Sequence, residues 1–144
     1  HVYGQNRSDA LFISLPPTAP LRSSEDVDNA INRFARKDVD ICIGVTESAR
    51  NPFFNMVKID NKGHASLFVE TDRPYFRRQD APQAFDVSTV VYVSSLRFIR
   101  ENIGVFSGKV GTIVVPPERA LDIDTLFDFK QAEMLMKSRR IVQG

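Results

Sequence analysis

Two carboxylates separated by one residue, Asp122 and Asp124, stand ahead of an apolar-periodic stretch in Pro116-Pro117-Glu118-Arg119-Ala120-Leu121-Asp122-Ile123-Asp124-Thr125. In an extended segment side chains alternate with period two, so both acids would point the same way and Ile123 would face inward. Like charges so placed repel unless a cation or hydrogen-bond donors lie between them. Hard oxygen ligands in this arrangement suit Mg²⁺, which takes one or two carboxylates and substrate phosphates rather than a full protein cage. A plainer reading stands beside it: acids just before a helix are favoured by the helix dipole. Spacing alone leaves both open.

Other reactive material is scarce. The single cysteine, Cys42, lies in the apolar run Val39 to Val45 and reads as a small buried hydrophobe. The two histidines, His1 and His64, are far apart, and His64 follows the turn signal Asn61-Lys62-Gly63. Zinc sites and histidine-based triads therefore have almost no material, and one cysteine excludes an internal disulfide. A reducing, cytoplasmic setting fits. With 144 residues the length prior is one domain, and 19 basic against 18 acidic residues give a net charge of +1. That balance argues against a nucleic-acid binder. No apolar run approaches the roughly 18 residues a membrane span needs, and no signal-peptide pattern opens the chain. The opening His1-Val2-Tyr3-Gly4-Gln5-Asn6-Arg7-Ser8 lacks an initiator methionine, so a fragment or processed chain is expected.

The elements that must position the acids follow from patterning. Ala10 to Leu15 is a continuous apolar run, expected to be a strand covered on both faces. It ends at Pro16-Pro17-Thr18-Ala19-Pro20, where prolines remove ladder donors. Ser23-Ser24-Glu25-Asp26 supplies an N-cap and first-turn acids for a helix over about Glu25 to Lys37, with Val27, Ala30, Ile31 and Phe34 on its apolar face. Val39 to Val45 is a second strand, so a right-handed βαβ unit with a parallel sheet is expected. Phe53 to Asp60 and Ala65 to Glu70 form a hairpin around Asn61-Lys62-Gly63. Arg73 to Pro82 is irregular, basic and aromatic. Strand character returns over Phe85 to Ser94, followed by a short helix at Leu96 to Asn102 and a strand at Val110 to Val115. A last helix runs from Leu126 to Arg139 with a core stripe of Phe129, Ala132, Leu135 and Met136, and Lys137, Arg139 and Arg140 at its end. The result is a single α/β domain with a β-rich excursion over about residues 53 to 85, which a partner subunit is expected to cover.

In order along the chain, four segments resemble one family. Leu15-Pro16-Pro17-Thr18-Ala19-Pro20-Leu21-Arg22 with Glu25-Asp26-Val27 resembles the "LQPTSPLR…EDI" stretch of acylneuraminate cytidylyltransferases, the synthetases of CMP-sialic acid and related nonulosonates. Arg78-Gln79-Asp80-Ala81-Pro82-Gln83-Ala84-Phe85 is similar to their "RQxLPxxY/F", and Ser88-Thr89-Val90-Val91-Tyr92 stands where they have "NGAIY". Leu121 to Thr125 resembles their "DIDT", with "xxDFxxAExLL" behind it as Phe127 to Leu135.

The resemblance implies a three-layer Rossmann-like nucleotidyltransferase fold and a reaction in which CTP and a nine-carbon acidic sugar give CMP-sugar and pyrophosphate. It implies that Asp122 and Asp124 hold Mg²⁺, that Arg78 meets the sugar carboxylate through a two-pronged bond, and that Gln79 lies beside it. Tyr92 and Phe106 would line the sugar pocket and Thr18 and Arg22 the loop beside it, with Arg22 as a sugar contact or a structural residue; without the family, Arg22 reads as a surface residue. Without the family, Arg78 with Arg73 and Arg77 is a solvated basic patch, and Tyr92 a core residue with its hydroxyl at the rim. A homodimer, in which the Arg78 segment reaches the neighbouring sugar site, is expected.

Three departures qualify this. Pro16 replaces the family's glutamine, Ser88 and Thr89 replace its Asn-Gly, and no "ARxGSKxxxxKN" loop of the kind that cradles CTP occurs in the 144 residues. The resemblance spans nearly the whole chain but only about the latter two-thirds of a family member. The chain is therefore expected to be N-terminally incomplete and inactive alone, with a non-catalytic dimerising or sugar-acid-binding module as the competing reading.

Overall fold

The computed structural model describes residues 10–142, with the side chains of residues 139–142 left out. The expected fragment start at His1 to Ser8, and the side chains of Arg139 and Arg140, lie outside the described residues. The chain divides into two compact units: residues 10–46 with 87–142, and residues 47–86.

The larger unit is built on a four-stranded sheet in the order β1 (Leu11–Ser14), β5 (Phe85–Ser95), β2 (Ile41–Glu47), β6 (Val110–Val114). β2 and β6 run parallel, with Cys42 opposite Gly111 and Val45 opposite Val114. β1 runs antiparallel to β5, with Ser14 opposite Tyr92. The sheet is thus mixed, which corrects the expected parallel sheet, and β5 lies between β1 and β2. A buried apolar run marks a strand but not its neighbours. β1 is also an edge strand whose Leu11 and Ile13 stay exposed, so it is not covered on both faces.

Helix α1 (Ser24–Phe34) begins at Ser23, whose hydroxyl accepts from the Asp26 amide while the Asp26 carboxylate accepts from the Ser23 amide at 2.8 Å. This reciprocal cap fixes where the chain leaves the proline loop. Ala30 of α1, Ala19, Cys42, Val90, Val91, Val93 and Val115 make one buried cluster, against which Ile31 and Phe34 pack. Ile41, Ile43 and Val45, one step out of phase on β2, make a second cluster with Phe98 of α2 (Leu96–Glu101) and the half-buried Tyr92. On β2 the two clusters take alternate residues, Cys42 in the one with α1 and Ile41, Ile43 and Val45 in the one with α2. Burial pushes the Cys42 thiol up to about 11, which fits its reading as a core residue. Helix α3 (Leu126–Val142) buries Ala132 alone of its expected stripe; Phe129 and Met136 are exposed and Leu135 half-buried.

In the smaller unit, β3 (Val57–Ile59) and β4 (Ala65–Leu67) pair antiparallel. Asp60 closes their turn by accepting from the amides of Lys62 and His64 at 2.8 and 2.9 Å, and Gly63 supplies the positive φ of 84°. The hairpin is shorter than its apolar pattern suggested. Asn51, buried, holds the rest together: its Nδ2 donates to the Pro82 carbonyl at 2.7 Å and its Oδ1 accepts from the Phe53 amide at 2.9 Å.

Candidate functional site

Four segments of the larger unit converge on the paired acids. The proline loop comes first. Arg22 donates from Nε to the Ala19 carbonyl at 3.0 Å and from Nη2 to the Pro16 carbonyl, so its guanidinium braces the loop from within. Ala19 and Leu21 anchor the same loop in the core, at 0% and 1% exposure. The Thr18 carbonyl then accepts the Ile123 amide at 2.9 Å. A single backbone bond thus ties the loop to the residue between the two acids.

The second contribution is the turn Pro116 to Ala120, closed by Arg119 and Ala120 amides donating to the Pro116 carbonyl at 2.9 and 3.1 Å. Arg119 reaches from it to Asp26, which is only 2% exposed. Nη2 meets Oδ1 at 2.8 Å and Nε meets Oδ2 at 3.0 Å, a planar fork on a carboxylate. Burial pushes the Asp26 carboxyl up, but hydrogen bonds from Arg119 and Ser23 and the Arg119 charge outweigh it and hold the group below the ordinary carboxylate range. Nothing in the spacing of Asp26 and Arg119 announced this pair.

The third is the start of α3. Thr125 Oγ1 accepts from the Asp128 amide at 3.3 Å, and the Asp128 carboxylate accepts from the Thr125 hydroxyl and amide at 2.7 and 2.8 Å. Those bonds keep the Asp128 carboxyl below its ordinary range. Thr125 and Asp128 therefore cap α3, and the acids at 122 and 124 stand just ahead of that cap. Among the described residues the Asp124 carboxylate makes no hydrogen bond or ion pair, and Asp124 is exposed. Asp122 Oδ1 is buried and has no hydrogen-bond partner. Ile123 lines a cavity of about 290 Å³ with Pro20, Phe129 and Ala132.

The fourth is β5, which carries Tyr92. Burial first, and the negative charge of Asp122 second, push the Tyr92 phenol above its ordinary value. Thr18, Arg22, Tyr92, Asp122 and Asp124 therefore belong to one neighbourhood of the larger unit. Phe106 is on the 3₁₀ turn Val105–Ser107 of the same unit and is 73% exposed.

Arg78 and Gln79 belong to the smaller unit, on the 3₁₀ turn Arg78–Asp80. Both line a cavity of about 360 Å³ with Glu47, Ser48 and Asn51. Arg78 donates to the carbonyls of Ser48 at 2.5 Å and Ala49 at 3.3 Å, which aims an exposed guanidinium while leaving it further donors. Arg77, by contrast, is paired with Asp80 at 2.9 Å.

An orphaned buried carboxylate oxygen is the observation against which a cation can be tested, and the donor set passes. Asp122 and Asp124 offer hard oxygens of the type Mg²⁺ takes. No group of three His, Cys, Asp or Glu side chains is assembled among the described residues.

Over 130 residues the chain is 29% identical to post-translational flagellin modification protein B of Campylobacter coli, an alignment covering 90% of this chain and 54% of that protein. It is 33% identical to the CMP-N,N'-diacetyllegionaminic acid synthase of Campylobacter jejuni, over 69% of this chain and 41% of the synthase. The N-acylneuraminate cytidylyltransferase of Streptococcus agalactiae is 27% identical over 82% of this chain and 28% of the enzyme. The chain belongs to the acylneuraminate cytidylyltransferase family. It spans about half the length, or less, of these relatives. No family model matches it. In three dimensions it is similar to 4-diphosphocytidyl-2C-methyl-D-erythritol synthase of Anaerococcus prevotii, with TM-score 0.52 and 14% identity, over 86% of this chain and 58% of that one. The fold is accordingly α/β of the Rossmann-like nucleotidyltransferase kind, as the family resemblance implied. No helix among the described residues is long and apolar enough to cross a membrane.

Proposed function

We propose that this chain carries the metal-binding and sugar-acid-binding part of a cytidylyltransferase that joins CMP from CTP to a nine-carbon acidic sugar, releasing pyrophosphate. The observation that carries the reading is the buried, unpartnered Oδ1 of Asp122, next to an Asp124 whose amide donates to the capping Asp128 carboxylate at 3.3 Å while its own carboxylate stays out of the cap. Asp122 and Asp124 hold Mg²⁺ on this reading; when bound, it neutralises charge on the nucleotide phosphates. Tyr92 stays a neutral phenol at physiological pH and offers its hydroxyl beside Asp122. Thr18 and the Arg22-braced loop set the wall opposite.

Arg78 receives the sugar carboxylate, for which a guanidinium fork is suited, with Gln79 as a neighbouring amide. We place this contact at the sugar site of a second subunit in a homodimer. The setting we assign is cytoplasmic, consistent with one buried, unreactive cysteine. Lacking a glycine- and lysine-bearing phosphate loop, the 144-residue chain by itself does not turn over CTP.

Calorimetric titration tests these points. N-acetylneuraminic acid should bind the wild-type chain, and Arg78→Lys should weaken it about tenfold, by loss of a bidentate contact worth about 1.4 kcal/mol. No binding of the sugar acid, or equal binding by Arg78→Lys, overturns the sugar-acid assignment. Pyrophosphate release from CTP by this chain alone overturns the claim that it is inactive by itself.

A further inference from the structure

We infer that Arg119 is a positioning residue for the paired acids: with Asp26 it clamps the Asp122–Asp124 segment in the register that aims Asp122 at a cation. This inference rests on the proposed cation site. Its geometry is independent of that reading. Arg119 sits three residues before Asp122, at the end of a turn that its own amide helps to close on the Pro116 carbonyl. The fork to Asp26 uses both carboxylate oxygens, and Asp26 is fixed in turn by the Ser23 amide and hydroxyl at 2.8 and 2.9 Å. Four residues beyond Arg119, the Ile123 amide is held by the Thr18 carbonyl.

The segment bearing the acids is thus pinned on both sides of Asp122, to two points of one contiguous stretch, the proline loop and the first turn of α1. Lysine at position 119 keeps the charge but cannot grip two oxygens of one carboxylate in a plane. Outer-shell groups hydrogen-bonded to a metal ligand typically control metal affinity tenfold to hundredfold, and this pair, which acts on the acids through the backbone, is expected at the low end of that range. A pair that merely stabilised the fold would leave affinity unchanged in the folded population.

The test uses the full chain with Mn²⁺ as the paramagnetic probe, following broadening of the Asp122, Ile123 and Asp124 amide signals, together with hydrogen exchange of the Ile123 amide. Arg119→Lys should raise the Mn²⁺ midpoint about tenfold and speed Ile123 exchange at a pH and temperature where the protein stays folded. Asp26→Glu, which retains charge but lengthens the arm, should do the same to a smaller degree. Cys42→Ala, destabilising the core elsewhere, should lower the melting temperature and leave the Mn²⁺ midpoint unmoved. Unchanged midpoint and exchange in both Arg119→Lys and Asp26→Glu overturn the clamp. If Asp124→Asn does not weaken Mn²⁺ binding, the cation site itself is wrong; the clamp is then judged by Ile123 exchange alone, and unchanged exchange overturns it.

Discussion

Asp26 and Arg119, 93 positions apart, form a fork with Nη2–Oδ1 at 2.8 Å and Nε–Oδ2 at 3.0 Å. Removing the arginine leaves a carboxylate that is 2% exposed without its main counter-charge. Arg119→Ala should therefore cost about 3 kcal/mol, the low end for orphaning a buried charge, because the arginine side chain is itself a quarter exposed. Urea unfolding of the two proteins measures it, and a loss under about 0.5 kcal/mol, the range of ordinary surface substitutions, would contradict the pairing.

The same pair sets an acid limit on stability. The folded state holds Asp26 below the ordinary carboxylate range, so the unfolded chain binds the proton more readily. The stabilisation is present above the unfolded value of about 3.9 and is lost as pH falls below it toward the lower folded value. Asp26→Asn should flatten that part of the stability–pH curve, as read by thermal melts across the acid range.

Gly44 on β2 faces Ser88 on β5 closely enough that a Cβ added at Gly44 would lie 2.7 Å from the Ser88 hydroxyl oxygen. That oxygen is buried without a hydrogen-bond partner. Gly44→Ala should destabilise by about 1–2 kcal/mol through overpacking. Adding Ser88→Ala should recover most of it, since the clashing atom is gone and no hydrogen bond is lost. A strictly additive double mutant would contradict the contact.

Tyr92 reports on Asp122. Burial and the Asp122 charge both raise the phenol, so Asp122→Asn should remove the second contribution and move the Tyr92 titration downward, toward its ordinary value. NMR of Cζ-labelled tyrosine follows the residue individually. An unmoved titration would place the two groups apart.

Local patterning made much of this fold legible. The period-3.6 face of α1, the Ser23 cap, the valine-rich β5 and the Asn61-Lys62-Gly63 turn all lie in short windows, where side-chain direction follows from backbone geometry. Sheet order did not, because Leu11 to Ser14 reads alike at an edge or at the centre. The stripe on α3 has helical spacing, yet spacing cannot say whether Phe129 or Met136 meets a neighbour. For the site, the acids at 122 and 124 were visible through their spacing and Thr18 through the resemblance. Asp26–Arg119 and Asn51–Pro82 were invisible, since a long-range partner has no periodicity. The Thr125–Asp128 cap did carry a local signal, a threonine followed three residues later by an acid, masked by the acids just before it.

The most direct measurement is Mn²⁺ broadening of amide signals in the wild-type chain against the double variant Asp122→Asn/Asp124→Asn. The cation-site account predicts saturable broadening centred on residues 122–124 that the double variant abolishes while its other signals stay dispersed. Broadening that persists unchanged in the double variant, or that is centred elsewhere in the wild type, would contradict it.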